Sequence, residues 1–320
     1  MDAPDHRPSA AYTLAELAFL TLGASAGRTA QLMEALDIAI DPREFAETEL
    51  ARTSRDPATL RTLAASTYAS VRRAVAGNPA TPAAAIRALT READDVTVER
   101  ATCHPALQVA DLEFLSLTGS GFVRAGVLRH PRVPQHLVDR ATGDADPYAR
   151  AVAAGHLRVR EEALARLAVD DDAMVRAAAA GHPRLPVLAF PVLAADMDRW
   201  VRIALAANPH LPEAQLVLLA ADAQVEVRAA AAAGPALTPD VAALLADDVE
   251  QVQRALAASL FCPVGVLRHL ARPRCRTAVR QAVADHPACP ADLRHHLAAR
   301  DRSIYVRQRA AAWLKGPVSG

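Results

Sequence analysis

The chain has 320 residues, of which 52% are hydrophobic and 4% aromatic, and its 36 basic and 36 acidic residues give a net charge of zero at pH 7. That length can bury a large interior, and the even charge excludes a protein that is electropositive throughout, although a local basic stripe can hide inside a neutral total. Four cysteines, Cys103, Cys262, Cys275 and Cys289, are too few and too scattered for a disulfide framework, so a reducing, cytoplasmic location is expected.

Near the N-terminus an apolar stretch from Leu14 to Gly27 ends in Ala24-Ser25-Ala26, which imitates a signal-peptidase site. Asp2 and Asp5 precede it with Arg7 as the one firm positive charge, and Glu16 interrupts it. Thr13 and Glu16 have the spacing of a capping box, so the stretch reads as the start of an ordinary helix. Residues 1–40 are expected to form a helical cap that hides the first apolar stripe. No apolar run reaches the roughly 20 residues needed to span a bilayer, and no membrane partner is expected.

A repeat then takes over. The residue before the proline of His-Pro or Asn-Pro marks Asn78, His104, His130, His156, His182, Asn208 and Gly234, each 26 positions after the last. Ser259 and His286 continue the series with one-residue slips, and the units run from about residue 41 to Leu314, with 315–320 as a flexible tail. Each unit predicts two short helices. The first opens on a capping residue, Ser120, Asp146, Asp172 or Asp198, ahead of a Val-Arg-x-Ala phrase. It stops at the anchor, because proline disfavours helical backbone in the residue before it. Asparagine, glycine and histidine tolerate the cramped or left-handed backbone such an end often adopts. A second proline, as at Pro82, Pro186, Pro212 and Pro290, starts the next helix. Apolar pairs such as Ile86 and Leu89, Leu164 and Leu167, and Leu216 and Leu219 form its buried stripe. No unit can bury such a stripe alone, so the units must stack.

The phrase VRRAVAGNPATPAAAIRAL, from Val71 to Leu89, resembles the leucine-rich repeat variant family, a bacterial, HEAT-like kind of α-solenoid. The resemblance covers about residues 41 to 314. It implies an all-α fold, a right-handed superhelix of about ten 26-residue two-helix repeats, with α and 3₁₀ helices alternating. A founding member of the family carries an iron–sulfur cluster on N-terminal cysteines, but residues 1–50 contain no cysteine. No cofactor is therefore expected.

A constant period turns equivalent residues into ladders with a step of about 8–10 Å, the distance between packed helices. Histidines at 104, 130, 156 and 182 form one, with His104, His130, His156 and His182 read as structural caps, since a shared metal would need ligand nitrogens about 2 Å from one ion. Their titration near neutrality makes mild acid a natural perturbant. Arg124, Arg150, Arg176 and Arg202, with Arg72, Arg228 and Arg280, form another. It could face phosphates or an acidic peptide, or pair internally with the aspartates that share its period. Phe122, Tyr148, Met174 and Trp200 occupy the position before four consecutive Val-Arg (Ala-Arg at Tyr148) pairs. They either cover the loops between units or hold an extended peptide or stacked bases. Cys262, Cys275, Cys289 and His286 could be imagined as a zinc site, but no Cys-x-x-Cys pair occurs and buried thiols are the expectation.

No phosphate loop, nucleophile elbow or metalloprotease motif is present in the sequence, so no enzymatic activity is expected. The reading that results is a non-catalytic scaffold that binds a protein or peptide on a curved face, with residues 122 to 208 as the contact zone. The alternative is a nucleic-acid-binding solenoid that uses the arginine and aromatic ladders together.

Overall fold

A computed structural model describes residues 41–314, so the expected cap over 1–40 and tail over 315–320 lie outside the described residues. Among the described residues there are helices and no strands. One compact unit comprises residues 41–118 with 129–131. It holds α1 (Pro42–Thr53), α2 (Pro57–Leu63), α3 (Ala69–Gly77), α4 (Ala83–Leu89), α5 (Asp95–Thr102) and α6 (Val109–Thr118). A second comprises residues 119–128 with 132–314. Its helices are α7 (Gly121–Leu128), α8 (Gln135–Ala141), α9 (Pro147–Ala154), α10 (Glu161–Leu167), α11 (Ala173–Ala180), α12 (Ala189–Ala194), α13 (Arg199–Ala206), α14 (Glu213–Ala220), α15 (Val225–Ala233), α16 (Pro239–Leu245), α17 (Glu250–Ala258), α18 (Val264–Leu270), α19 (Thr277–Asp285), α20 (Ala291–Arg300) and α21 (Ile304–Leu314).

Odd-numbered helices are the first of each repeat, and within each unit they pack on one another in series, α1 on α3 on α5 and α7 through α21. This is a helical repeat solenoid. The even-numbered helices are short α-helices, which corrects the 3₁₀ expectation; 3₁₀ character is kept at their ends. In α4 the Pro82 carbonyl accepts from both Ala85 and Ile86 N–H, at 2.9 and 3.1 Å.

The sequence rules account for these elements locally. Asp146, Asp172 and Asp198 accept from the N–H of Tyr148, Met174 and Trp200 at 2.8, 2.8 and 2.7 Å, and Ser120 accepts more loosely from Val123 at 3.4 Å. The residue three positions after the cap is buried, Val123, Ala149, Val175 and Val201, as is Val227 in the next repeat, together with the apolar pairs of the second helices. Alanines further along the same helices, such as Ala179, Ala180, Ala206 and Ala231, are fully covered. Small side chains there let successive helices approach closely.

The anchors do something other than bend the backbone. Asn78, Ser259 and His286 are extended, with φ near −86°, −68° and −67°, so the left-handed end is absent at these three. Instead, each anchor side chain offers an acceptor and a donor. Asn78 Oδ1 accepts from Ala80 N–H at 2.9 Å while its Nδ2 donates to the Ala51 carbonyl at 2.8 Å. Asn208 repeats this with His210 N–H and the carbonyls of Ala180 and His182. In the histidines Nδ1 accepts from the N–H two residues on, as at Ala106, Arg158, Arg184 and Ala288. Nε2 of His104, His130 and His286 then reaches the carbonyl of the preceding anchor, Asn78, His104 and Ser259, at 3.0, 3.3 and 2.8 Å. Buried carbonyls at the helix ends are thereby satisfied by the next layer. Gly234 has no side chain to offer, and a Cβ there would collide with the backbone carbonyl of Ala206.

This geometry requires neutral imidazole, because a protonated Nδ1 would face an N–H donor. Burial keeps the pKa of His104, His156 and His182 below the ordinary 6.5. The unfolded chain therefore binds more protons than the native one below about pH 6.5, and stability falls as pH drops through that point. Replacing all three by asparagine, which fills the same slot naturally, should flatten the dependence: the urea midpoint of the wild type should drop between pH 7.5 and 5.5, and that of the triple variant should change much less.

Candidate functional site

The candidate residues meet on one edge of the second unit, where a turn leads from each second helix into the next first helix. Two aspartates, two residues apart, occupy several of these entry turns: Asp144 and Asp146, Asp170 and Asp172, Asp196 and Asp198. The later one caps the helix. The earlier one accepts both the N–H two residues on and a forked pair of bonds from the arginine of the preceding repeat.

Arg150 Nε and Nη2 both lie 2.8 Å from Asp170, and its Nη1 donates to the Asp144 carbonyl at 2.8 Å. Arg176 holds Asp196 at 2.7 and 3.0 Å and the Asp170 carbonyl at 2.8 Å. Arg202 holds Asp222 at 2.6 and 3.1 Å and the Asp196 carbonyl at 2.6 Å. Arg124 holds Asp144 at 2.7 Å and the Gly119 carbonyl at 2.7 Å. Each guanidinium thus bridges two consecutive entry turns. The arginines proposed from sequence as a row facing a partner are engaged within the chain, and their charge is matched in place. In the first unit Arg72 pairs with Glu92, and Arg73 forks onto Asp94; the Arg73 hydrogen bonds, against partial burial, bring that carboxyl down to about 2.

Electrostatics follow the same pattern. Burial is the largest single influence on Asp144, Asp196 and Asp222 and opposes their ionisation, but the forked arginine bonds, the backbone N–H two residues on and the nearby arginine charges together outweigh it, so all three titrate below the usual carboxylate range. At Asp170 the Arg150 hydrogen bond is the leading influence.

The aromatic row divides in two. Phe122 and Tyr148 stack with ring centroids 5.9 Å apart and an angle of 21° between planes, covering one another between adjacent layers. Met174 is exposed, and Trp200 is 60% exposed with the Arg199 guanidinium 5.2 Å from its ring centroid. Met197, in the turn just before Trp200, is 96% exposed. Sequence reasoning passed over Met197, because it lies outside the repeated phrase; its signal was a methionine where other turns carry alanine or aspartate.

Cys262 and Cys289 fill the buried slot held elsewhere by Leu185, Leu211 and Leu237, and burial raises the Cys262 thiol to about 12. They behave as small hydrophobes. Among the described residues no group of three His, Cys, Asp or Glu side chains is placed to hold a metal ion.

Rungs of different burial should differ in worth. Arg280 is fully buried against Asp301, whereas Arg268 and Asp292 form an exposed pair. Arg280→Ala should lower stability by about 3–5 kcal/mol, because it strands a buried carboxylate. Arg268→Ala should leave the urea midpoint nearly unchanged, because the exposed pair is screened by solvent. Urea denaturation of both variants checks the contrast.

With this geometry in view, comparison with known proteins is specific at one place. Residues 199–224, which run from the start of α13 through the Asp222 turn, match the family model for the leucine rich repeat variant. No curated protein matches the chain. Among solved structures, one titled as a leucine-rich repeat variant with a novel repetitive protein structural motif is 21% identical, covering 69% of this chain and 87% of that one with a TM-score of 0.46. The stretch from 199 to 224 is thus similar to one leucine rich repeat variant repeat, and it lies in an array of helical repeats that share its period.

Proposed function

We propose that the protein is a non-catalytic scaffold of the cytoplasm that binds a protein or peptide along the entry-turn edge between residues 122 and 208. The observation that carries this reading is the exposure of Met174, Met197 and Trp200 on an edge whose turns are rich in aspartate. Large apolar side chains left in solvent in adjacent repeats favour a partner that covers them, and tryptophan is among the residues that dominate binding energy at interfaces. The edge is also fixed in place, since the turn that carries Met197 is held by Arg202 and by Asp198 at the head of α13. A rigid turn loses little entropy when a partner docks. The reading needs no cofactor and no membrane, and with the arginine row neutralised internally, nucleic acid is the weaker alternative.

The test combines capture from the native cell with a measured affinity. Partners recovered with the wild type should be lost, or bind at least about tenfold more weakly, with the Tyr148→Ala/Trp200→Ala double variant. Identical partners at unchanged affinity would remove the reading. Tight, steeply salt-dependent binding of mixed oligonucleotides would replace it with the nucleic-acid alternative.

A further inference from the structure

The entry-turn edge changes sign near the C-terminal end of the second unit. From residue 268 to 314 the chain carries ten arginines and three acidic residues, whereas residues 1–267 carry 25 basic and 33 acidic ones. The neutral total conceals a polarised molecule. Upstream turns present Asp170, Asp171 and Asp172, or Asp247 and Asp248; the next two present Arg272, Arg274 and Arg276, then Arg300 and Arg302.

The fold explains why the aspartate is released there but not why arginine replaces it. Helix α17 has Gln253 where its neighbours have the bridging arginine, and Gln253 Nε2 donates to the Ala246 carbonyl at 2.9 Å. No cation therefore awaits a carboxylate in the following turn. Arg274 reaches back to Asp247 at 3.0 Å beside His269, but Arg272, Arg276, Arg300 and Arg302 are exposed and have no ion pair among the described residues. Like charges gathered in this way are unfavourable for folding.

The two basic turns lie side by side. Arg280, buried beneath them, donates from Nη1 to the Cys275 carbonyl and from Nε and Nη2 to Asp301 at 2.7 and 3.0 Å. One guanidinium thus spans both turns, and the exposed arginines above it stand one layer apart, about 10 Å. Ile304 and Tyr305, the latter 64% exposed, open α21 next to Arg302. They add an apolar face to the cationic one.

We propose that this end of the array is a second docking site, distinct from the Met174–Trp200 edge, and that its partner is a short acidic peptide segment with an apolar residue beside its carboxylates. Two or three carboxylates match the two rows of free guanidinium groups, each able to form forked hydrogen bonds. A long polyanion fits less well: beyond these two turns it would run along the edge that carries Asp247, Asp248 and Asp222. A short segment ends before that.

Fluorescence anisotropy with the full chain tests this, using a fluorescein-labelled peptide of three Glu-Asp pairs followed by phenylalanine and, separately, oligothymidylate of equal charge. The peptide should bind at low salt and weaken as ionic strength is raised past about 0.15 M. The Arg272→Glu/Arg276→Glu/Arg302→Glu variant should lose at least about tenfold in affinity with a thermal midpoint no lower than that of the wild type. Arg166→Glu, on an exposed face of α10, and the Tyr148→Ala/Trp200→Ala variant should both bind the peptide as the wild type does, which separates this site from the aromatic edge. Absence of peptide binding, retention of it by the triple variant, or equal or tighter binding of oligothymidylate would overturn the proposal.

Discussion

Except at Gln253, successive layers of the second unit are held together by an arginine whose guanidinium touches two turns at once. Arg150, Arg176, Arg202 and Arg228 repeat the same contacts, a forked bond to the aspartate of the following turn and a bond to a carbonyl of the turn that precedes their own helix. This rung sits at the N-terminal end of each first helix, and the anchor asparagine or histidine sits at its C-terminal end. Where the anchor carries a side chain, the helix is therefore fastened at both ends, while a few alanines and one or two valines or leucines pack between. A chain with so little aromatic content has few large side chains with which to enforce register by shape alone. Directional bonds to backbone carbonyls supply that register instead, since a shift of one residue would leave buried carbonyls unsatisfied.

Much of the architecture was legible in the sequence because it rests on local rules repeated at one interval. The 26-residue spacing of Asn78 through Gly234 located the layers, the capping role of Asp146, Asp172 and Asp198 followed from their position before an alanine-rich helix, and the leucine pairs marked the buried stripe. Relations between repeats were harder to read. That Arg176 meets Asp196, 20 positions away, depends on how one turn lies against the next, and the sequence shows only that both residues recur. The anchor slot is the instructive case. Asparagine, histidine and serine share no backbone preference strong enough to group them, but each pairs an acceptor with a donor, and it is that pair of functions the slot requires. The exposure of Met197 and the reversal of charge after residue 267 were hidden for a different reason: both are departures from the repeat.

Departures of this kind separate what holds the array together from what it presents to its surroundings. Wherever the rung needs an aspartate, the turn is constrained. Where Gln253 removes that need, the turn is free to carry other residues, and it carries arginines. Likewise the position before each Val-Arg pair lies beside the core rather than in it, so it accommodates Phe122, Trp200 or Glu226 without altering the stack. A repeat protein can vary its surface at such positions one layer at a time, because each layer contacts mainly its neighbours.

Cys262, Cys275 and Cys289 give this organisation a built-in clock. All three thiols are buried in the C-terminal layers, where a reagent reaches them only when a layer lifts away from the one before it. Their rate of modification in the native protein therefore reports how often the end of the stack opens, and the exposed Cys103 provides the reference rate for a thiol that needs no opening at all.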